Sequence, residues 1–181
     1  MANSKDLVGV GKPLVNGAVW RAPSNTLVPT AFDDALTGFT CMGYVSSDGV
    51  THNNSKEHEE IKAWGGDTVA VPLTSHNDTF QISFIEARNA EVLKAAYGDD
   101  NVTVTTGTGI SAVGNADDDT EHPYVIDTEI HGKKRRIVVP AGKVTTVGEI
   151  TYKDDDVVAY PLTITALPDA SGNTHYLYDE E

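Results

Sequence analysis

The clearest strand pattern in this chain is Thr79-Phe80-Gln81-Ile82-Ser83-Phe84-Ile85-Glu86. Phe80, Ile82 and Phe84 alternate with polar residues, so the apolar side chains point to one face of a β-strand and the polar side chains to the other. This alternation predicts a strand over residues 79–86 with one face in a hydrophobic core.

The same period recurs later in the chain, where Ile126, Thr128 and Ile130 share one face of a strand expected over residues 124–130. Val and Thr each occur 20 times, whereas Leu and Ile occur nine times each. Side chains branched at Cβ fit a pleated sheet better than a helix. Further strands are expected over residues 39–45, 50–64, 135–140, 149–152 and 157–167. The predicted fold class is therefore mainly β.

One α-helix is expected, at about residues 89–97. Asn89 can cap its N-terminus through the side-chain oxygen, and Gly98 can end it. The apolar side chains between them recur at helical spacing and are Val92, Leu93, Ala96 and Tyr97. We expect this stripe to lie against the sheet beside the strand of residues 79–86.

The segment from residue 39 to residue 64 predicts a hairpin whose return strand is unusually polar. Asp48-Gly49 is a strong two-residue turn signal between the strands expected at 39–45 and 50–64. The second of these strands is polar through its middle. Charged and amide side chains are rarely buried, so we expect this strand to face water or another subunit.

Length and composition limit the class of protein. The 181 residues predict one domain, residues 1–181, with a less regular N-terminal segment over about residues 1–35. The net charge of −14 argues against a nonspecific nucleic-acid binder, which carries a basic face. No apolar run approaches the roughly 20 residues of a membrane helix, and no signal peptide is visible. Cys41 is the single cysteine, which excludes an internal disulfide and a cysteine-based zinc cluster. We expect a soluble, acidic protein made in the cytoplasm.

No sequence motif predicts catalysis, a cofactor or a metal centre. His58-Glu59-Glu60-Ile61-Lys62 begins like the helix of a zinc protease, but Lys62 stands where the second histidine ligand is needed. Residues 107–112 have the glycine spacing of a dinucleotide site, but the residues after them form a poor helix. The other histidines, which include His52 and His175, show no ligand spacing.

Three runs of charged residues are candidates for contacts. Two are acidic and consist of Asp117, Asp118 and Asp119, and of Asp154, Asp155 and Asp156. Consecutive aspartates in an extended chain point alternately to opposite sides, so their oxygens do not converge as they do in a calcium loop. Solvated loops are the expectation, and a weak ion site stays open as an alternative. The third run, Lys133-Lys134-Arg135-Arg136, holds four of the 13 basic residues, and both a partner contact and an exposed hairpin tip remain open for it.

The basic run lies at the tip of a hairpin predicted over residues 124–140. Gly132-Lys133 can form a type II′ turn, and the resulting register pairs Glu129 with Arg136. Apolar residues then share one face and charged residues meet on the other, which favours this register over a slip of one residue.

Two segments carry a resemblance to a known family. They are Gly43-Tyr44-Val45-Ser46-Ser47-Asp48-Gly49-Val50-Thr51 and Ile61-Lys62-Ala63-Trp64-Gly65-Gly66-Asp67. Residues 91–98 and 163–176 also fit in the same order, so the likeness covers most of residues 36–178. In these segments the chain resembles the major tail tube proteins of long-tailed, non-contractile bacteriophages (siphophages), and most of all those of phages with Gram-positive, actinobacterial hosts.

The resemblance implies a tail-tube-type β-sandwich or barrel subunit with one flanking helix. It implies a structural virion protein with no cofactor, and not an enzyme. Such subunits form hexameric rings that stack into a tube around the tape-measure protein, and the tube later conducts DNA without binding it specifically. The implied partners are further copies of the chain, the tape-measure protein, the tail terminator and the distal tail protein. The implied location is the virion tail, after assembly in the host cytoplasm.

Two groups of residues are candidate sites in such a tube. The candidate inter-subunit contact joins Lys133, Lys134 and Arg135 of one copy to Asp117, Asp118 and Asp119, or to Asp154, Asp155 and Asp156, of a neighbour. The candidate lumen-lining residues are Glu57, Glu59 and Glu60. They lie on the polar strand, and an acidic wall does not hold the phosphate backbone.

Two alternatives from other classes remain. One is the inner tube subunit of a contractile tail or of a type VI-like system, because these share the implied fold. The other is a soluble carbohydrate-binding β-sandwich, which needs exposed aromatic side chains on one face. Trp20 and Trp64 are the only tryptophans of the chain.

Overall fold

The computed structural model describes residue 3 and residues 8–181. Strands make up 47% of the chain and helices 6%, which confirms the mainly β fold class and is consistent with a β-sandwich-type subunit. In chain order the strands are β1 (Gly11–Pro13), β2 (Val19–Arg21), β3 (Thr40–Cys41), β4 (Val45–His58), β5 (Ile61–Lys62), β6 (Thr68–Ala70), β7 (Leu73–Phe84), β8 (Val102–Thr105), β9 (Gly109–Ala112), β10 (His122–Ile130), β11 (Lys133–Val147), β12 (Tyr160–Leu167) and β13 (Tyr176–Asp179). The α-helix α1 is Ala90–Tyr97, and a short 3₁₀ helix follows it at Asp99–Asn101.

Nine of these strands form one sheet, in which every pair is antiparallel. The order across it is β3-β2-β10-β11-β12-β7-β4, with β1 also paired to β10 and β13 also paired to β11. β5 and β6 form a separate two-stranded ribbon, and β8 and β9 form another. The polar strand β4 therefore lies at one end of the sheet.

Strand β11 is 15 residues long and is hydrogen-bonded along both edges. One edge pairs with β10, and the other pairs first with β13 and then with β12. Gly142 of β11 lies in a tight space between its neighbours, because a Cβ atom there would meet the side chain of Tyr124 at 2.7 Å and that of Ile164 at 2.9 Å. β11 therefore connects the two halves of the sheet.

The larger hydrophobic core joins one face of the sheet to α1. Phe80, Ile82 and Phe84 of β7 are buried in it, as their alternation predicts. Val92 and Leu93 of α1 are buried in the same cluster. The adjacent residues along β10 and β11 point to the opposite face. There a smaller cluster consists of Ala22, Phe39, Val125 and Val138.

Helix α1 begins and ends where the sequence predicts. The Asn89 side-chain oxygen accepts a hydrogen bond from the backbone N–H of Glu91 at 3.0 Å. The N–H of Gly98 donates to the carbonyl of Lys94 at 2.8 Å. Gly98 has a φ of 93°, which favours glycine because it has no Cβ atom. Both predicted ends of the helix are confirmed.

Two strand predictions are wrong. Asp48-Gly49 forms no hairpin turn, because β4 continues through it with an irregularity between Val45 and Val50. Both of these valines pair with β7, so the extra residues between them bulge out of the ladder. Residues 149–152 form no strand, because the pairing of β11 with β12 already ends at Val147.

The hairpin of β10 and β11 has a different turn from the predicted one. His131 and Gly132 occupy the turn with φ values of 55° and 76°, and two positive φ values are the mark of a type I′ turn. The register therefore pairs Arg136 with Asp127 and not with Glu129. Because the partner changes by two residues, each side chain keeps its predicted face.

Candidate assembly surface

The outer parts of β4 and β7 extend beyond the rest of the sheet as a long hairpin, residues 55–77, which we call the arm. β12 pairs with β7 only from Thr79 to Phe84, so the arm has no third strand. The pairing of its own two strands continues outward, and the β5–β6 ribbon extends it to a tip at residues 63–67. At about 3.3 Å per residue, the arm is about 40 Å long.

The arm is solvent-exposed on both faces. Every residue in it is exposed except Ser55, which is half-buried. Its large apolar side chains, each at least 50% exposed, are Ile61, Trp64, Val69, Val71 and Leu73. Folded monomers rarely expose a large group of apolar side chains together, and such groups mark interaction sites.

Strand β4 is also the last strand of the sheet, and its outer edge carries unpaired backbone donors and acceptors along an element of 14 residues. Long free edges pair readily with other chains. The arm therefore combines two features of an association surface, namely a free strand edge and exposed apolar side chains.

The predicted lumen-lining residues lie together on the arm. Glu57 is in β4, and Glu59 and Glu60 lie in the connection to β5. The Glu60 carboxylate accepts a hydrogen bond from Thr68 Oγ1 at 3.3 Å and lies 3.6 Å from Lys62 Nζ. All three glutamates are exposed. Their place in a lumen stays a prediction.

The predicted basic contact is partly used within the chain. Arg135 donates from Nε and from one terminal nitrogen to the two carboxylate oxygens of Asp179, each at 2.6 Å. These hydrogen bonds hold the pKa of Asp179 below its usual value. The backbone N–H of Lys134 donates to the Glu180 carboxylate at 2.9 Å. Over residues 8–181, the side chains of Lys133 and Lys134 form no ion pair.

The two aspartate runs also have basic partners in the same chain. Asp118 lies 2.6 Å from Lys143 Nζ, and Asp156 lies 3.2 Å from Lys153 Nζ. Asp119 takes part in a cluster described below. In the described part of the chain, no ion pair joins either run to the basic hairpin tip. A contact between these groups on neighbouring copies stays a prediction.

A buried cluster of charged side chains forms around Arg21, and no sequence pattern predicts it. Arg21 of β2 is 2% exposed, and its guanidinium lies 2.8 Å from Asp99, 3.4 Å from Asp119 and 3.5 Å from Glu91. The partners belong to the 3₁₀ helix, the loop before β10, and α1. No local spacing could reveal them, because they lie at least 70 residues from Arg21.

A second buried ion pair joins Arg136 to Asp127. The predicted type II′ turn pairs Arg136 with Glu129 instead, so the sequence does not predict this ion pair. Arg136 donates to both oxygens of Asp127, at 2.7 and 2.8 Å, and both side chains are 7% exposed. A further nitrogen of Arg136 donates to the carbonyl of Asp34 at 2.7 Å. This pair fixes the N-terminal loop against the β10–β11 hairpin.

The fold is thus a mainly β subunit with two buried apolar clusters and a long exposed hairpin at one edge of its sheet. A family model described as "Phage tail tube protein" matches residues 2–180. The chain belongs to this family of phage tail tube proteins. Comparison with curated proteins finds no match.

Family membership makes the chain a structural component of a phage tail, and the family is not one of enzymes. In the part of the chain that the structure describes, no helix combines the length and the apolar character that a membrane crossing needs.

Proposed function

We propose that this protein is the major tail tube subunit of a long-tailed, non-contractile phage with an actinobacterial host. Its copies close into hexameric rings, the rings stack around the tape-measure protein, and the finished tube conducts DNA during ejection. The whole of residues 1–181 acts as one tube-forming domain without enzymatic activity. The observation that carries this proposal is the unsupported arm.

The arm needs a partner for energetic reasons. A two-stranded ribbon is at best marginally stable in water, and three strands or a packed face are needed for independent stability. Five large apolar side chains of the arm stay exposed in the single subunit: Ile61, Trp64, Val69, Val71 and Leu73. Burial against a neighbouring copy removes this surface from water and supplies the missing support.

The free edge of β4 favours a closed assembly. A sheet that continues from copy to copy around a ring leaves no open edge, so it avoids uncontrolled association. Rings satisfy this condition with one repeated contact. We therefore infer that β4 lies at the boundary between adjacent copies in a ring.

Charge supports a conduit for DNA. The subunit carries a net charge of −14, and the acidic residues Glu57, Glu59 and Glu60 lie on the arm. A wall that neutralises few phosphates releases few counterions, so DNA passes without being held. We propose that these glutamates line the lumen, and a tube structure with a basic inner wall would overturn this assignment.

The charged runs are proposed as secondary contacts between copies. Lys133 and Lys134 are available on the hairpin tip, and Arg135 is shared with Asp179. Their proposed partners on neighbours are Asp117, Asp118 and Asp119, or Asp154, Asp155 and Asp156. One exposed pair contributes about 0–1 kcal/mol, but repetition along a tube multiplies the effect.

The remaining partners follow from the role of the tube. A tube of defined length needs the tape-measure protein inside it, the distal tail protein at the end where it starts and the tail terminator where it stops. We propose that these three proteins contact the subunit and that assembly takes place in the host cytoplasm.

Negative-stain electron microscopy of the purified protein tests the proposal. We expect rings or tubes with a central hole. The double variant Ile61→Ser/Trp64→Ser should stay dispersed, because it removes apolar contacts at the arm tip. The matched control Tyr152→Ser removes a side chain that is 72% exposed outside the arm, and it should assemble like the parent.

Two results would contradict the proposal at different levels. A monomer that persists at high concentration, with tail-initiation components present, overturns the tube function. Tubes from the Ile61→Ser/Trp64→Ser variant that match those of the parent keep the function but exclude the arm as its main contact.

A further inference from the structure

Three side chains from distant parts of the chain converge at the base of the arm. His52 lies on β4, Asp78 lies on β7, and His175 directly precedes β13. His52 Nε2 is 2.7 Å from Asp78 Oδ1, and His175 Nδ1 is 2.7 Å from Asp78 Oδ2. The three potential ligand atoms all lie within 4.8 Å of one another.

We propose that His52, Asp78 and His175 bind one divalent transition-metal ion, with Zn²⁺ as the ion that fits best. Two imidazole nitrogens and one carboxylate oxygen are a set of ligands that Zn²⁺ accepts, and a water molecule can take the fourth tetrahedral position. Ligand atoms in such a site lie about 3.3 Å apart, given metal–ligand bonds of about 2.0 Å. Each imidazole nitrogen therefore needs to move about 0.6 Å away from the carboxylate oxygen that it contacts. The more distant ligand atoms, at most 4.8 Å apart, need to approach one another by up to about 1.5 Å.

The residues around the three ligands hold them in place and leave a path by which an ion can reach them. Asp78 is 1% exposed, whereas the side chains of His52 and His175 are 31% and 21% exposed, so an ion can enter from the side of the imidazoles. The Thr174 hydroxyl donates to Asp78 Oδ2, and the His52 ring stacks on Phe80 with centroids 4.2 Å apart. Partners of this kind orient metal ligands and strengthen binding.

The imidazole nitrogens that face Asp78 can exchange their hydrogen bonds for bonds to an ion. A carboxylate accepts hydrogen bonds, so the nitrogens of His52 and His175 that contact it act as donors. To bind an ion through the same nitrogens, each ring takes the tautomer in which the second nitrogen carries the proton.

A second cluster with similar residues differs in one decisive way. Asp99, Asp119 and His122 also converge. The Arg21 guanidinium already lies 2.8 Å from Asp99 and 3.4 Å from Asp119, so a cation fills that position. No basic side chain forms an ion pair with Asp78 among the described residues except the two histidines themselves. The cluster at the arm base is therefore the one suited to a metal.

Binding at this place would have a structural consequence. The ion would link β4, β7 and the segment before β13, and so fix the base of the arm to the C-terminal part of the chain. Because the unfolded chain does not hold these three ligands together, metal binding would also stabilise the folded state. Neither effect depends on the proposed tube function.

Calorimetric titration of the untagged, full-length protein tests the proposal after treatment with a chelator. We expect one Zn²⁺ per chain, a higher Tm with Zn²⁺, and the visible absorption of tetrahedral Co²⁺ when Co²⁺ replaces it. His52→Ala and His175→Ala should each weaken Zn²⁺ binding at least about tenfold. His76→Ala is the matched control, because His76 is exposed on the same arm and, within residues 8–181, its side chain hydrogen-bonds to Asn54, at 2.9 Å, and not to Asp78. It should bind like the parent.

All proteins are compared in the Ile61→Ser/Trp64→Ser background, which is expected to stay dispersed, so tube formation does not affect the measurements. If either alanine variant does not fold, His175→Gln keeps a hydrogen-bond donor near Asp78 and serves instead. The absence of one-to-one Zn²⁺ binding by the parent overturns the proposal. Equal affinity of the parent and the folded ligand variants overturns it as well.

Discussion

Strand β7 is exposed from Leu73 to Asn77 and buried at Asp78, Thr79 and Phe80, although its hydrogen bonding to β4 continues across that boundary. On the buried side, β12 pairs with its other edge and side chains enter the larger core. On the exposed side, the arm consists of two strands alone. The comparison teaches that a regular ladder can extend past its core, and that support for the outer part then comes from outside the subunit.

The largest expected effect is on stability, and it distinguishes the buried part of the sheet from the exposed arm by how well their side chains are packed. Phe80→Ala removes a fully buried ring of β7 and should lower the free energy of unfolding by about 3–5 kcal/mol. Val69→Ala, in the exposed arm, should change it by less than about 0.5 kcal/mol. Urea unfolding of the dispersed protein measures both. Similar costs for the two variants would show that the arm is packed within the single subunit.

A second comparison uses one buried ion pair of the sheet, Asp127–Arg136, and one exposed ion pair of the arm, Glu60–Lys62. Asp127→Ala leaves the buried Arg136 without its carboxylate and should cost about 3 kcal/mol. Glu60→Ala removes the partner of Lys62 in a pair whose two side chains are 58–59% exposed, so it should cost about 0–1 kcal/mol. Thermal unfolding followed by circular dichroism distinguishes these outcomes, and a small effect of Asp127→Ala would mean that the backbone carbonyls alone satisfy Arg136.

Substitutions at the basic hairpin tip should change stability little, as in the arm and unlike in the core. Replacing Lys133, Lys134 and Arg135 together by serine removes one exposed ion pair and should lower stability by no more than about 1 kcal/mol. The variant should form shorter tubes, and the tubes of the parent should shorten as salt rises, because the screening length falls to about 3 Å at 1 M salt. Tube lengths are measured by electron microscopy. Polymerisation equal to that of the parent at every salt concentration would leave the tip as a solvated turn.

The smallest expected effect is a pH-dependent difference in Tm between the parent and a variant of Asp179. In the C-terminal strand β13, Tyr176 and Tyr178 are half-buried, whereas Leu177 and Asp179 are exposed. The hydrogen bonds of Arg135 fasten this strand and lower the pKa of Asp179. A group with a lowered folded pKa contributes its stability above its unfolded pKa, about 3.9, and loses it as the pH falls through the folded value. The Tm of Asp179→Asn should therefore lie slightly below that of the parent above about pH 5 and approach it near pH 3. A difference in Tm between the variant and the parent that stays the same at every pH would contradict this prediction.

The parts of the fold that depend on nearby residues could be predicted from sequence. The alternation of Phe80, Ile82 and Phe84 predicts the buried face of β7, because the period of a strand is a local property. Asn89 and Gly98 predict the ends of α1, because a helix end is stabilised by residues within one turn.

The errors arise where distant contacts outweigh local preference. Asp48-Gly49 is a good turn sequence, but continued pairing with β7 turns it into a bulge. His131 at positive φ is an uncommon choice for an L residue, so the type I′ turn had no clear sequence signal. His52 and His175 lie more than 100 residues apart in the chain, and only the folded sheet brings them to one carboxylate.

The pairing of β11 along both of its edges has a mechanical consequence for the subunit. Force applied along this strand acts in shear on the hydrogen bonds to β10 on one side and to β13 and β12 on the other. Bonds loaded in shear share the force and fail together, whereas bonds pulled open from one end fail one by one. Force along β11 would thus be shared by the hydrogen bonds to three strands, whereas in the single subunit force on the arm would meet only the ladder between its own two strands.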